Sequence, residues 1–174
     1  MASITAENLP LFRATRLRAL QEDPAAFGST YAEESKFTGA EWAARLRRWN
    51  GERGIGFLAL DLENGGEMPC GIAGALVDDA DPRSAQLVSM WTAPTHRRLG
   101  VGRILVQAVL AWAASRGLHT LTLFVVANNS PAIRFYRQLG FAVTGNTQPY
   151  PNDPALTEYE MSRPVDFIGK QSIA

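Results

Sequence analysis

A chain of 174 residues, 46% of them hydrophobic, has room for one domain with a sizeable core and is too short for two. Lys+Arg and Asp+Glu both number 17, so the formal charge is zero, which argues against a general binder of nucleic acid or of acidic membranes. One cysteine (Cys70) and two histidines (His96, His119) offer neither a disulfide framework nor a zinc site. No apolar run has the length of a membrane span or the core of a signal peptide, so the expected compartment is the cytoplasm.

Residues 1–5 leave room for only an abbreviated first strand, unless the true start lies upstream. A helix follows to about Leu20, with Leu9, Phe12, Leu17 and Leu20 near one face and Arg13, Arg16 and Arg18 mostly elsewhere. Pro24 ends it, because the residue before proline avoids helical backbone. Ser29 or Thr30 caps a short helix carrying Glu33 and Glu34, which read first as a solvated face. Thr38 opens another helix, with Trp42, Leu46 and Trp49 on an apolar stripe. Residues 55–62 and 70–77 read as a hairpin about Asn64-Gly65-Gly66, with Cys70 as a small buried hydrophobe. The acidic stretch 78–82 is a solvated turn rather than a metal site, and 86–92 is the third strand.

That strand runs into Ala93-Pro94-Thr95-His96-Arg97-Arg98-Leu99-Gly100-Val101-Gly102-Arg103. Pro94 has no N–H for a ladder, so the strand stops there. Ile104, Leu105, Ala108, Val109 and Trp112 then recur at helical spacing. A helix N-terminus with unpartnered N–H groups, two glycines and three arginines is a cradle for a pyrophosphate. The lysine and hydroxyl of a P-loop are missing, and the glycine spacing is not that of a dinucleotide fold. Gly117 ends the helix and 119–126 is the next strand, with His119 structural. A strand–helix–strand crossover makes these two strands parallel. Asn129 or Ser130 caps a helix with Pro131 in its first turn, and Gly140 ends it before a strand beginning at Phe141. A proline-rich loop is expected over 148–154 and a last strand over 157–161.

Arg97-Arg98-Leu99-Gly100-Val101-Gly102, after a strand ending Met90-Trp91-Thr92-Ala93-Pro94, resembles the acetyl-CoA-binding motif of the GNAT superfamily of N-acetyltransferases. Asn129, Ala132, Tyr136, Gly140 and Phe141 match its second signature, in the right order. Three positions depart from the pattern: Arg98 stands where glycine is common, Thr92 replaces an apolar residue and His96 an aromatic one. The resemblance implies a mixed α/β sheet, flanked by helices, whose two parallel strands splay at their ends to admit the pantetheine arm. It implies one N-acetyltransferase domain over 1–174, with a core of about 7–162 and a tail of 163–174.

The resemblance also places the pantetheine arm at Met90, Trp91, Thr92 and Asn129, and the pyrophosphate around Arg97, Arg98, Leu99, Gly100, Val101 and Gly102. Tyr136 would contact the co-substrate and act as general acid to the leaving thiolate. The implied reaction moves an acetyl group from acetyl-CoA directly to the primary amine of a small molecule, with no metal. Glu33 or Glu34 would serve as base or recognise the amine; His96, Glu158 and Glu160 are further candidates for the base. Acetylation of a protein N-terminus or lysine, and non-catalytic acyl-CoA sensing, are the alternatives. A homodimer through the final hairpin is possible; neither nucleic acid nor membrane is an expected partner.

Overall fold

The structure of the protein, a computed structural model, describes residues 1–62 and 68–166. In chain order the elements are β1 (Ala2–Ser3), α1 (Leu9–Glu22), α2 (Tyr31–Glu34), α3 (Gly39–Arg47), β2 (Gly54–Asp61), β3 (Met68–Val77) and β4 (Ser84–Thr92). There follow α4 (Val101–Ser115), β5 (Thr120–Val126), α5 (Ser130–Gln138), β6 (Ala142–Tyr150) and β7 (Asp153–Pro164). The expected turn at Asn64-Gly65-Gly66 and most of the expected tail, 167–174, lie outside the described residues.

The seven described strands form one sheet in the order β1-β2-β3-β4-β5-β7-β6. Among them β4 and β5 are the parallel pair, joined by α4 as the crossover predicts. The first strand is indeed two residues, paired to β2 through Ala2↔Leu58 and Ser3↔Phe57. Strand alternation gives the sheet two apolar faces. Leu58, Ile72 and Trp91 stand opposite one another on β2, β3 and β4 and pack with Phe12, Leu20, Trp42 and Trp49 from the N-terminal helices. Ala73, Ala75, Leu87, Leu121 and Leu123 pack the other face against Leu105, Val109 and Trp112 of α4 and Ile133 and Tyr136 of α5. Glycine within β2 and β3 has a steric reason: a Cβ on Gly56 would lie 2.2 Å from the Trp49 ring, and one on Gly74 2.8 Å from it.

Three expectations need correction. The proline-rich stretch is not a loop. β6 runs to Tyr150 and β7 starts at Asp153, and Pro149 pairs with Thr157, because an edge strand tolerates a residue without an N–H. The core does not end near 162: Val165 is buried and its N–H bonds the His119 carbonyl. Glu34 does not belong to a solvated face, nor does Arg16 lie off the buried face of α1.

Glu34 and Arg16 are 0% and 3% exposed. Thr30 caps α2 through a reciprocal bond with Glu33, and this orientation turns the next residue, Glu34, inward. There its carboxylate accepts from Arg16 Nη2 of α1 at 2.8 Å, from Arg45 Nη2 of α3 at 2.9 Å and from the Ser29 hydroxyl. One carboxylate thus ties three helices. Burial alone would raise the Glu34 carboxyl pKa; the bonds and charge of Arg16, with Ser29 and Arg45, outweigh it and hold the carboxyl below its usual range. Because the folded-state pKa is the lower one, this stabilisation is complete above the ordinary carboxylate pKa of about 4.3 and is lost as pH falls through the folded value. Glu34→Gln takes the carboxylate from the buried Arg16 and the partly buried Arg45, so urea unfolding is expected to show about 3–5 kcal/mol lost at pH 7. The gap between parent and variant should narrow on acidification below about pH 4.

Candidate active site

β4 and β5 pair through three rungs, Ser84↔Thr120, Ala85↔Leu121 and Gln86↔Thr122. Past Gln86 they part. On its other side β4 carries a bulge: Val88 faces Gly74 and Trp91 faces Ile72, leaving Ser89 and Met90 opposite Ala73 alone. Ser89 takes a φ of 57°, which bends and twists the strand away from β5. The opening lies at the C-terminal ends of both strands, where β4 keeps backbone groups that no strand satisfies.

One cavity, of about 790 Å³, runs from this gap to the start of α4. Met90, Trp91, Thr92, Arg97, Arg98, Gly100, Gly102, Asn129 and Tyr136 line it, so the structure gathers nearly all the residues expected at the co-substrate. Leu99 and Val101 do not line it: the Leu99 side chain is exposed and Val101 packs against the core. The first bond of α4 runs from the Ile104 N–H to the Gly100 carbonyl at 3.1 Å, so the N–H groups of Val101, Gly102 and Arg103 precede it without intrahelical acceptors. No side chain caps them.

The two glycines serve different ends. Gly100 sits at φ 87° with nothing near its Cβ position, so its backbone is what counts. A Cβ on Gly102 would lie 3.1 Å from Met90 Cε and from Phe135 Cζ, so there space is what counts. Arg98 also takes a left-handed φ, 65°, which explains why glycine is common at this place in the resembled motif. Arg97 braces the turn, donating to the Thr92 carbonyl at 3.2 Å and pairing with Asp23. Bare N–H groups, a glycine floor and the Arg98 and Arg103 charges together suit a pyrophosphate-bearing ligand.

A second cavity, of about 360 Å³, lies over β4, β5 and β7. It shares Ala26, Met90 and Tyr136 with the first. The Tyr136 ring is held between Phe135 and Phe141, at centroid distances of 5.2 and 5.8 Å. Its hydroxyl has no hydrogen-bond partner among the described residues, and burial pushes the phenol pKa up. Asn129 caps α5, its Oδ1 accepting from the Ala132 N–H at 3.2 Å.

Of the five carboxylates and imidazoles considered as base, only Glu158 lines this second cavity beside Tyr136. Glu158 is nearly buried, and Gln148 Nε2 donates to its Oε2 at 2.7 Å. Glu33 is spent on the Thr30 cap and Glu34 lies behind the cavity wall, clasped by arginines. His96 faces the first cavity and bonds Asp61 at 3.0 Å, while Glu160 bonds Thr144 and Asn146 outside both. Tyr150 donates to the carbonyls of Pro24 and Phe27, clamping the turn after α1 over the second cavity. Of the apolar stripe on α3, Trp42 lies in the core and Trp49 lines the wall. Sequence reasoning missed Arg16, Arg45 and Arg48, which also line this cavity. Arg16 had a signal: it falls at the i+4 step from Phe12 on the arc completed by Ala19 and Leu20.

Residues 17–141 match the acetyltransferase (GNAT) family. The chain belongs to this family. Over 115 residues it is 30% identical to the ribosomal protein bS18-alanine N-acetyltransferase of Escherichia coli, covering 65% of this chain and 72% of that one. Over 53 residues it is 45% identical to streptothricin acetyltransferase of Streptomyces lavendulae, covering 30% of this chain and 28% of that one. The matches span about a fifth to a third of the length of the streptothricin enzyme and of mycothiol acetyltransferases. The fold is shared with a GNAT-family acetyltransferase of Streptococcus pneumoniae, at TM-score 0.77 and 20% identity over 95% of this chain and 98% of that one.

The backbone at the cradle gives a stability test. Gly100→Ala is expected to cost about 1 kcal/mol, the left-handed penalty, with no steric contribution. Arg98→Gly relieves the same penalty, so urea unfolding should find it no less stable than the parent.

Proposed function

We propose that the protein is an acetyl-CoA-dependent N-acetyltransferase acting on a primary amine of a small molecule by direct attack. The observation that carries this is the meeting of the two cavities at Tyr136, a buried phenol whose hydroxyl is free among the described residues. The larger cavity takes the co-substrate, with its pyrophosphate at the Val101, Gly102 and Arg103 N–H groups and Arg98. The backbone of Met90, Trp91 and Thr92 pairs with the pantetheine arm, and Asn129 Nδ2 remains available to it.

The acceptor occupies the smaller cavity. An alkylammonium, with pKa of about 10.4, costs roughly 4–5 kcal/mol to deprotonate at neutral pH. Glu158 takes that proton, directly or through a water. The amine lone pair attacks the thioester carbonyl, the C–S bond breaks as the tetrahedral intermediate collapses and the nitrogen sheds its second proton to solvent, and the thiolate is left at Tyr136, which regains a proton from solvent after giving its own to sulfur. A phenol whose pKa burial has raised stands well above a thiol's about 8.5, so full proton transfer in the transition state is uphill. Tyr136 therefore acts first as a hydrogen-bond donor that strengthens as charge builds on sulfur, and the proton follows.

The E. coli relative named for a ribosomal protein favours a second reading, a peptide N-terminus as acceptor. The small volume and the Tyr150 clamp over the turn after α1 favour a small molecule. An amine panel beside N-terminal peptides, followed by release of free thiol, separates the two. Calorimetry should show acetyl-CoA binding to the parent and its loss in Gly102→Glu; no binding to the parent would sink the proposal.

Tyr136→Phe is expected to lower kcat by about ten- to a thousandfold while acetyl-CoA affinity is nearly kept. Because burial raises its pKa, Tyr136 stays protonated, and the parent's rate profile should show no descending limb from it below about pH 10. Glu158→Gln is expected to lower kcat by about a hundred- to ten-thousandfold, with part of the rate recovered at high pH where the free amine is abundant.

A further inference from the structure

We propose that the acceptor carries an acidic group, a carboxylate of the amino-acid class, as well as its amine; this rests on the acetyltransferase reading of the same cavity. Three guanidiniums, those of Arg16, Arg45 and Arg48, line the 360 Å³ cavity, and the carboxylate behind them, Glu34, is the one acidic partner they have among the described residues. The three do not stand alike. Arg16 is committed: Nε and Nη2 bind Glu34, Nη2 also binds Ser29, Nη1 reaches Ser89 at 3.4 Å, and the guanidinium stacks 4.2 Å from the Phe27 centroid. Arg45 spends Nη2 on Glu34. Arg48, which lines the cavity from an exposed position, has no ion-pair or hydrogen-bond partner among the described residues.

Three positive charges against one negative leave the wall in excess by two. Burial and the neighbouring Arg16 charge pull the Arg45 pKa below its usual value, and Glu34 offsets them only in part. An anion placed between Arg45 and Arg48 removes that repulsion, and the guanidinium fork matches a carboxylate with two parallel bonds. The same wall repels a diamine or any acceptor with a second cation.

The polarity of the cavity orients such a ligand. Arg16 touches β4 at Ser89, and the Trp49 ring beside Arg48 lies on Gly56 and Gly74 of β2 and β3. Glu158 stands on β7, beyond β5. An acceptor lying across the sheet therefore meets guanidinium at one end and carboxylate at the other. Its acid goes to the arginines, and its amine goes to Glu158 and Tyr136.

The test uses the purified full chain with acetyl-CoA and matched acceptors: phenylalanine against phenethylamine, and β-alanine against ethylamine and aminoethylphosphonate. Free-thiol release gives kcat/KM, and the same compounds are titrated by calorimetry with and without CoA, so the ratio is also read as Kd. The accepted acid should exceed its decarboxylated partner by about tenfold or more. Arg48→Gln and Arg45→Gln should each cut that ratio by about ten- to a hundredfold, and neither substitution breaks the Arg16–Glu34 pair. A phosphonate that beats β-alanine overturns the carboxylate assignment. A decarboxylated amine used or bound as well as its acid, no measurable interaction with any acid, or a ratio that survives both substitutions overturns the proposal. Failure to bind acetyl-CoA overturns the acetyltransferase reading alone, since the acid-over-amine ratio is still read without CoA.

Discussion

The early parting of β4 from β5 is the constraint on which the rest depends. A parallel pair held by three rungs satisfies its backbone only that far, and beyond Gln86 the bulge at Ser89 and Met90 turns β4 away. A gap in the middle of a sheet is costly unless something fills it, because its edges carry unpaired N–H and carbonyl groups. Here one side of the gap leads to the bare start of α4 and the other to a cavity roofed by the turn after α1. Tyr136, projecting from α5, stands where they meet. The fold thus sets an extended backbone edge, a helix N-terminus and a buried phenol around one opening, from segments far apart in the chain.

The second constraint is electrostatic. α2 is a single turn, too short to persist on its own, and it is kept in place by burying a carboxylate between two arginines from its neighbours. A buried charge is tolerated when every oxygen finds a donor, and Glu34 meets that condition through Arg16, Arg45 and Ser29. The same cluster forms the wall of the smaller cavity. Structural support and cavity lining are therefore one set of side chains, and a change in either role is felt in the other.

The fold was legible wherever a local rule decides: proline stopping β4, glycine ending α4 and α5, Thr30 and Thr38 capping the short helices, a crossover helix making two strands parallel. The cradle was legible for the same reason, since glycine and arginine spacing at a helix start is local chemistry. What was hidden depends on contacts across the chain. Glu34 reads as solvated in its own helix and is buried only because Arg16, 18 residues earlier, faces it. Glu158 and Glu160 share one face of β7 by alternation and are indistinguishable in sequence; register against β6 sets Glu158 opposite Gln148 in the cavity and leaves Glu160 with Thr144 and Asn146, at the irregularity in β6, outside it. Pro149 and Pro154 suggest a loop, yet both are strand residues beside a two-residue turn on the sheet's edge.

The slender junction between the cavities has a kinetic consequence for the proposed reaction. They have in common only Ala26, Met90 and Tyr136, so each ligand occupies its own chamber and touches the other at a single place. The lone cysteine, Cys70, is buried in the core and lines neither chamber. Under the proposed direct attack both substrates are present together, so double-reciprocal plots are expected to intersect rather than run parallel, and an inhibitor that mimics one substrate to leave room for the other.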